Sequence, residues 1–248
     1  MSISNAEGKA SPISLLGRLL RLPLWLVPRS AVVPVLTGVN RGRRWIAGAS
    51  STNSSWIGTY EQDHARALVR LVKPGSMVYD VGANVGFYSL ALSNLVGTRG
   101  HVFCFEPEAR NMTMLRRHIV LNHVDNVTLV QAAVSDGTAL VGFEGGREQG
   151  HIGASSSYLI PSLSLDEFIA HGNPVPEFVK MDIEGAERWG LAGAKSLLEQ
   201  RKTVWMVATH SEELRVHCAQ IFANLGYRLA GFDGASDPSN AADFLAFP

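Results

Sequence analysis

The chain contains little cysteine and carries no net charge. The first feature excludes a disulfide-rich protein, and the second argues against a nucleic-acid-binding one. Cys104 and Cys218 are the two cysteines among 248 residues. Such sparse cysteine excludes a disulfide-rich secreted scaffold and is typical of buried free thiols in a reducing compartment. Basic and acidic residues balance at 22 each, for a formal net charge of zero. This balance argues against a nucleic-acid partner, because nucleic-acid-binding proteins usually carry a basic surplus.

The chain also lacks an uninterrupted apolar run of the roughly 18 to 20 residues that a membrane span requires. The N-terminal stretch from Ser11 to Leu36 is rich in apolar residues, but arginines and prolines interrupt it throughout. A secretory signal would have an unbroken apolar block and a small-residue cleavage site, and neither is evident here. The stretch is therefore predicted neither to span a membrane nor to direct secretion.

An N-terminal helix is predicted all the same, because leucines recur there at helical spacing, at Leu15, Leu19, Leu22 and Leu26. We interpret residues 1–55 as a helical accessory segment that packs on the rest of the chain or on a second copy of it. The alternative is a helix that lies on a membrane surface or contacts a lipid substrate. The expected location is the cytoplasm, with peripheral contact at the inner membrane surface under the alternative. Residues 56–248 then form the main domain.

Short β-branched or aromatic runs alternate with helical ones from Met77 onward. The predicted strands are "MVYDVG", "HVFCFE", "NVTLVQAAV", "EFVKMDI", "TVWMVAT", "YRLAGF" and "DFLAF". The predicted helices are "FYSLALSNLV", "PEARNMTMLRRHIVLN" and "EELRVHCAQIFANLG", with Pro107 at the first helical position of the second and Gly226 ending the third. This alternation predicts an α/β fold in which a parallel sheet carries helices on both faces.

Residues 137–162 interrupt the alternation. They are rich in glycine and serine and show no clear period, which predicts a short hairpin and a mobile loop of the kind that shapes substrate specificity. Directly after them, "SLDE" is typical of a capping box, with Ser164 as N-cap and Glu167 three residues later.

The strongest local pattern is "VYDVGANVGFY", in which a strand ends at Asp80 and a loop with Gly82 and Gly86 leads into a helix. Small residues there let backbone N–H groups approach a ligand, and the helix N-terminus favours a negative group. A dinucleotide loop has the pattern G-x-G-x-x-G, but Asn84 occupies the place of the second glycine. The pattern resembles the cofactor loop of S-adenosylmethionine-dependent methyltransferases, and a nicotinamide site and a plain strand–helix turn are the alternatives.

Glu106 ends the second predicted strand, close to the spacing of an acid that binds ribose hydroxyls. A carboxylate accepts two hydroxyl donors at once, which suits a cis-diol. Asp136, or a neighbour of it, ends the third strand and is a candidate for contact with an adenine amino group. We expect both residues at the carboxyl edge of the sheet, where such folds bind their ligands.

These residues and several further segments resemble the FkbM family of methyltransferases. The matching segments are "WIGTYE" (Trp56–Glu61), "VYDVGANVGFYSL", "FEPE", "AVSD", "SLDEF", "FVKMDIEGAE" and "LAGA" (Leu191–Ala194), in family order. The glycine loop alone resembles the cofactor loop of S-adenosylmethionine-dependent methyltransferases in general. The strand followed by D-x-E-G-A-E, together with "GTYE", narrows the resemblance to this family over residues 45–230.

The resemblance implies a Rossmann-like, doubly wound and mostly parallel seven-stranded sheet whose last strand is antiparallel. It implies S-adenosylmethionine as cofactor and methyl transfer to a hydroxyl of a glycan, a glycolipid or a secondary metabolite. The implied cofactor contacts are Asp80, Gly82, Ala83, Asn84, Gly86 and Glu106, with Tyr60 and Glu61 near the methionine end. In one departure, Ala208 stands where many members carry an acid two residues before the histidine at His210. This departure motivates the alternative of a cofactor-binding module that lacks catalysis.

The acidic stretch "KMDIEGAE" has three competing interpretations. Asp182 or His210 is the general base that removes the hydroxyl proton, with the other orienting it or the substrate. Alternatively, Asp182 and Glu184 help to hold a divalent cation such as Mg²⁺, which prefers oxygen ligands. In the third interpretation the acids are structural, with Glu184 and Glu187 in the first turn of a helix, where the macrodipole favours them. We expect Asp182 to be functional and Glu187 to be a helix charge, and Glu184 stays open between the two.

Overall fold

The structure, a computed structural model, describes residues 26–144, the backbone of residues 151–152, and residues 158–233 and 243–248. In these ranges the strands are β1 (Val32–Pro34), β2 (Arg44–Ile46), β3 (Met77–Val81), β4 (His101–Phe105), β5 (Val127–Val130), β6 (Ala133–Val134), β7 (Ala139–Glu144), β8 (His151–Ile152), β9 (Tyr158–Leu163), β10 (Phe178–Met181), β11 (Val204–Ala208), β12 (Arg228–Ala230) and β13 (Asp243–Phe247). The helices are α1 (Ser54–Ile57), α2 (Gln62–Leu71), α3 (Phe87–Val96), α4 (Ala109–Leu121), α5 (Leu165–Ala170), α6 (Glu187–Ala192), α7 (Lys195–Glu199) and α8 (Glu212–Asn224), with a 3₁₀ turn at Gly97–Arg99.

A seven-stranded sheet in the order β5-β4-β3-β10-β11-β13-β12 forms the centre of the fold. Neighbouring strands from β5 to β11 pair in parallel. The final strand, β13, runs antiparallel to both β11 and β12. The predicted Rossmann-like, mostly parallel sheet with an antiparallel last strand is therefore confirmed, and the carboxyl ends of its parallel strands meet at one edge.

Alternate side chains of the central strands enter two hydrophobic clusters. Val78 and Cys104 belong to one cluster, whereas Tyr79 and Phe103 belong to the other. This period of two is what a strand covered on both faces requires. Both cysteines are buried and free, as the sequence predicts.

Strands β7 and β8 pair antiparallel, so the hairpin predicted within residues 137–162 is present, and it belongs to a second, four-stranded sheet in the order β6-β9-β7-β8. The stretch "NVTLVQAAV" is not one strand, because β5 joins the central sheet while β6 pairs in parallel with β9. Residues 145–150 and 153–157 lie outside the described residues. The mobile loop that we predicted includes these residues, so that prediction stays untested there. The sequence analysis missed the wider sheet because β6 joins β9 across the intervening insertion.

Helix α4 begins two residues later than predicted. Glu108 is its N-cap, so Pro107 precedes the cap instead of occupying the first helical position. The predicted capping box at α5 is confirmed, since Ser164 Oγ accepts a hydrogen bond from Glu167 N at 3.1 Å. Gly226 follows α8 with φ of 75°, the left-handed conformation expected of a helix-ending glycine.

The described part of residues 1–55, which we interpreted as a helical accessory segment, contains an antiparallel hairpin, β1–β2. Trp45 of this hairpin is fully buried and stacks on His118 of α4, with ring centroids 4.0 Å apart. Residues 1–25, which carry Leu15, Leu19 and Leu22, lie outside the described residues, and the domain boundary after residue 55 stays a prediction. No helix in the described ranges is long and apolar enough to cross a membrane.

Candidate active site

The glycine loop between β3 and α3 is held by the ends of the neighbouring strands. Gly82 N and Ala83 N both donate to Phe105 O at 3.0 Å, and Lys180 Nζ donates to Gly82 O at 2.7 Å. Gly82 has φ of 78°, and a Cβ there would lie 1.8 Å from Asp182 O. Only glycine satisfies both the backbone angle and the close approach of the β10 end.

We expect Gly82→Ala to destabilise the protein by at least about 2 kcal/mol more than Gly75→Ala. Gly75 has φ of 91°, but a Cβ added to it would meet no atom within 4 Å, so it shares the backbone strain without the steric overlap. Urea denaturation of both variants measures the difference. Equal losses would show that the loop has room for a side chain and contradict the close packing against Asp182.

Glu106 lies buried at the end of β4 and fixes the loop. Its Oε2 accepts from Asn84 N at 2.8 Å, and its Oε1 accepts from Glu108 N at 2.9 Å and from Asn111 Nδ2 at 3.5 Å. Burial raises the pKa of Glu106, while the hydrogen bonds from Glu108 and Asn84 oppose this rise. The residue sits in the pocket wall, where a carboxylate with spare lone pairs can bind a hydroxyl.

A pocket opens at the carboxyl edge of the sheet, between the glycine loop, the end of β10 and the chain that follows β2. Seven residues predicted from the sequence line it: Tyr60, Gly82, Ala83, Asn84, Glu106, Asp182 and Glu184. Further lining residues, such as Ala49, Ser50 and Phe143, belong to no motif that the sequence analysis identified. The pocket thus joins the predicted cofactor loop to the predicted catalytic carboxylates.

Two residues predicted to contact the cofactor lie beneath the loop instead of in the pocket wall. Asp80 is fully buried and accepts a hydrogen bond from Ser89 Oγ at 2.6 Å. Gly86 packs against Leu115, whose Cδ1 would lie 2.5 Å from an added Cβ. The structure therefore places both as supports of the loop.

Glu61 and Asp136 also lie outside the pocket wall. Glu61 accepts a hydrogen bond from the hydroxyl of Tyr88, and Tyr88 itself lines the pocket. Asp136 is exposed, whereas its neighbours Ala133 and Val134 line the pocket. Of the stretch at the end of the third predicted strand, those neighbours rather than Asp136 line the pocket.

The acidic turn after β10 differs from the predicted helix start. Glu184 has φ of 55° and precedes α6, so it is not in the first turn of that helix. Glu187 is the first residue of α6 and is fully buried. Its Oε1 accepts from Ile183 N at 2.9 Å and from Gly185 N at 3.3 Å. Glu187 is therefore more than a helix charge, because it holds the turn that presents Glu184.

His210 brings the three carboxylates together from the loop after β11. Its Nε2 lies 3.1 Å from Glu184 Oε2 and 3.5 Å from Asp182 Oδ1, and its Nδ1 lies 3.3 Å from Glu187 Oε1. Hydrogen bonds to Glu184 and Glu187 raise the pKa of His210 to about 10. The imidazole is then protonated at neutral pH and donates from both nitrogens, so it offers no lone pair to a substrate proton.

This raised pKa predicts a pH-dependent contribution of His210 to stability. A histidine whose folded-state pKa exceeds its unfolded value stabilises fully below the unfolded pKa and loses that contribution as pH rises through the folded pKa. The window therefore runs from 6.5 to about 10. We expect the free energy of unfolding of the wild type to exceed that of His210→Gln most below pH 6.5, and the difference to shrink towards pH 10. Urea denaturation of both proteins across that range measures it, and a constant difference would contradict the charged cluster.

Lys180 is a pocket residue that the sequence analysis missed. Its Nζ lies 3.6 Å from Asp80 Oδ1 and 3.6 Å from Asp182 Oδ2, and its side chain is 5% exposed. Burial alone lowers the pKa of Lys180, but the carboxylates of Asp182 and Asp80 raise it overall. The sequence did contain a signal for Lys180. It lies on β10 two residues before Asp182, and residues two apart along an extended chain point to the same face.

Asp182, Glu184 and His210 also form a group that could hold a metal ion, with one ligand atom from each within 4.8 Å of the others. Two carboxylate oxygens suit a hard cation, and an imidazole suits a transition metal. Metal binding would require His210 to lose its proton, because only neutral imidazole is a ligand.

Comparison with known proteins places these features in a family. A sequence profile described as the methyltransferase FkbM domain matches residues 80–229. The structure of methyltransferase FkbM from Methylobacillus flagellatus KT resembles 82% of this chain and 56% of that one, with 18% identity and a TM-score of 0.53. No curated protein matches the chain.

Two further solved structures are more distant. Precorrin-6y C5,15-methyltransferase from Geobacter metallireducens GS-15 matches 68% of this chain and 73% of that one, with 17% identity and a TM-score of 0.47. Fibrillarin from Aeropyrum pernix, solved with natively bound S-adenosyl-L-methionine, matches 74% of this chain and 72% of that one, with 13% identity and a TM-score of 0.46.

The Methylobacillus protein shares the Rossmann-like methyltransferase fold, and the present chain spans 56% of its length. The family profile covers more than half of the 248 residues, from Asp80 through the glycine loop, Glu106 and the acidic turn. The chain therefore belongs to the FkbM family of S-adenosylmethionine-dependent methyltransferases.

Proposed function

We propose that this protein is an S-adenosylmethionine-dependent O-methyltransferase that acts on a hydroxyl of a glycan, a glycolipid or a secondary metabolite. The observation that carries the proposal is the shared pocket, whose wall contains Glu106 and the glycine loop as well as Asp182. A cofactor site and a proton acceptor in one cavity are what methyl transfer to oxygen requires.

The residues of the pocket wall fit the cofactor. Glu106 supplies a buried carboxylate for ribose hydroxyls, and Gly82 and Ala83 line the pocket where a ligand can approach their backbone. Tyr60, half-buried beside the loop, has its pKa raised by burial and by Glu61, so its hydroxyl stays protonated and can donate a hydrogen bond. When bound, S-adenosylmethionine supplies a methyl group activated by its sulfonium.

Asp182 is the proton acceptor in this proposal. A hydroxyl becomes a good nucleophile only as its proton leaves, and a carboxylate in the pocket wall can accept that proton. Lys180 and the imidazolium of His210 flank Asp182 at 3.6 Å and 3.5 Å. These two positive charges orient the carboxylate, and Glu187 Oε1 holds His210 from its other nitrogen, Nδ1.

Methyl transfer can be tested directly with S-adenosylmethionine that carries an isotope-labelled methyl group and a panel of hydroxyl compounds. Glycans, glycolipids and polyketide-type alcohols form the panel, and the genomic neighbourhood guides its choice. Label in an acceptor with matching S-adenosylhomocysteine release is the expected result. A protein that binds the cofactor but labels no acceptor in a broad panel would instead be a binding module without catalysis.

The cation hypothesis has its own test. Because His210 is protonated in the present geometry, we expect chelation of divalent metals to reduce the transfer rate only in part. The rate is measured with EDTA, and again after Mg²⁺ is restored. Complete loss that Mg²⁺ reverses would show that transfer depends on a divalent cation and would favour Asp182 and Glu184 as its ligands.

A further inference from the structure

A basic and partly apolar surface lies on the β1–β2 hairpin and the adjoining half of α4. Residues 8–60 contain no aspartate or glutamate, although acids and bases are equal in number over the whole chain. The described part of this stretch carries four arginines, Arg29, Arg41, Arg43 and Arg44. Helix α4 adds three more and also lacks acids between Ala109 and Leu121. Positive charge is thus concentrated in one region of a chain with no net charge.

The hairpin and the end of α4 form one continuous surface. Arg44 N donates to Asn122 Oδ1 at 2.7 Å, and Asn122 Nδ2 donates back to Arg44 O at 2.9 Å. Pro34 pairs with Arg44 across the hairpin, so their side chains share a face. We call this the hairpin surface and define it by its exposed members, Val32, Pro34, Leu36, Arg41, Arg44, Arg116, Arg117 and Val120.

The arginines of the hairpin surface are free of carboxylate partners among the described residues. Arg41, Arg44 and Arg116 form no ion pair there, and the guanidinium of Arg117 contacts the sulfur of Met114 at 3.9 Å. Asp125, which is also exposed, is the acid that follows α4 in the chain. Within the described ranges, no carboxylate therefore competes with an external anion for these cationic heads.

Aliphatic side chains stand exposed among these arginines. Val120 is 68% exposed, Leu36 51% and Val32 47%. Polyanions such as nucleic acids are bound by cations with hydrogen-bonding or aromatic groups. Cations mixed with exposed aliphatic groups suit a lipid interface, where the charges meet phosphates and the aliphatic groups enter the acyl boundary.

We propose that the hairpin surface docks on a membrane that contains anionic lipids. The chain passes from β2 directly into Ala49, Ser50 and Ser51 of the pocket wall. Docking through the hairpin therefore holds this wall of the pocket near the headgroups. If the proposed O-methyltransferase function is also correct, the hydroxyl acceptor is expected to be linked to a lipid. The docking itself does not depend on that function.

The test is co-flotation of the full chain with phosphatidylcholine vesicles that contain or lack phosphatidylglycerol. Each arginine near an anionic surface contributes about 1 kcal/mol, so the triple variant Arg41→Glu, Arg44→Glu, Arg117→Glu should partition about a hundredfold more weakly. The matched control reverses three exposed charges elsewhere, in Arg99→Glu, Lys195→Glu, Lys202→Glu. We expect the control to bind like the wild type, and binding to fall as salt rises.

Three outcomes would overturn the proposal: no binding of the wild type to anionic vesicles, equal losses in both triple variants, or retained binding in the hairpin variant. The last outcome would assign any membrane contact to another part of the chain. Preferential binding to heparin or single-stranded RNA over vesicles would identify the surface as a polyanion site instead. Circular dichroism and titration with S-adenosylmethionine verify that the variants are folded, and they test the proposed function separately from docking.

Discussion

Asp182→Asn is expected to lower kcat for methyl transfer by about 10²- to 10⁴-fold, the usual contribution of a positioned general base. The substitution keeps the shape of the side chain but removes the charge to which the proposed mechanism assigns the hydroxyl proton. His210 cannot replace it, because hydrogen bonds to Glu184 and Glu187 raise the pKa of His210 to about 10. Affinity for S-adenosylmethionine should change little, since Glu106 and the glycine loop remain intact. Single-turnover rates and calorimetric titration of the same protein measure the two quantities.

Glu184→Gln is the control for this prediction. Glu184 lines the same pocket and contacts the same histidine, with Oε2 at 3.1 Å from His210 Nε2. We expect a smaller loss of kcat there, because Asp182 retains its charge. If Asp182→Asn keeps a rate within a few-fold of wild type, or if Glu184→Gln costs more than it does, Asp182 is not the base. Positioning and desolvation would then account for the rate.

Lys180→Met is expected to destabilise the protein by about 3–5 kcal/mol, the cost of removing one partner from a buried charged pair. Asp80 is fully buried, and without Lys180 its carboxylate keeps, among the residues that the structure describes, only the hydrogen bond from Ser89. The glycine loop also loses the bond from Lys180 Nζ to Gly82 O. Loss of cofactor affinity should therefore accompany the loss of stability. Urea denaturation gives the first quantity and calorimetry the second.

Two further variants isolate the cause. The double variant Lys180→Met, Asp80→Asn should recover part of the stability, because the buried charge disappears while Ser89 can still donate to the amide oxygen. Lys202→Met removes an exposed lysine and should be nearly neutral. A Lys180→Met protein as stable as Lys202→Met would contradict the account of Lys180 as the counter-charge of Asp80.

Much of the fold and part of the site could be predicted from the sequence, because both depend on local patterns. Strand β3, the glycine loop and α3 follow from a short apolar run, small residues and a helical stretch. Glu106 and Asp182 were identified because the carboxyl ends of parallel strands meet at one edge. That rule needs no knowledge of which strands are neighbours.

The features that the sequence analysis missed depend on register and long-range contacts. Lys180 stands beside Asp80 because β10 pairs with β3 in that register, which no local pattern specifies. Glu187 accepts hydrogen bonds from Ile183 and Gly185 of the turn before α6. Its position in the first helical turn indicated a favourable helix charge but not this contact with the turn. The second sheet likewise depends on β6 pairing with β9 across an insertion.

The central claim is that the pocket at the carboxyl edge binds S-adenosylmethionine through Glu106 and the glycine loop. Isothermal titration of the folded chain with S-adenosylmethionine and with S-adenosylhomocysteine tests it most directly. We predict binding of both at one site per chain, weakened about tenfold or more in Glu106→Gln because a hydrogen bond to a charged group is lost. Absence of binding of either ligand to the folded wild type, or binding of NAD or NADP in their place, would contradict the account.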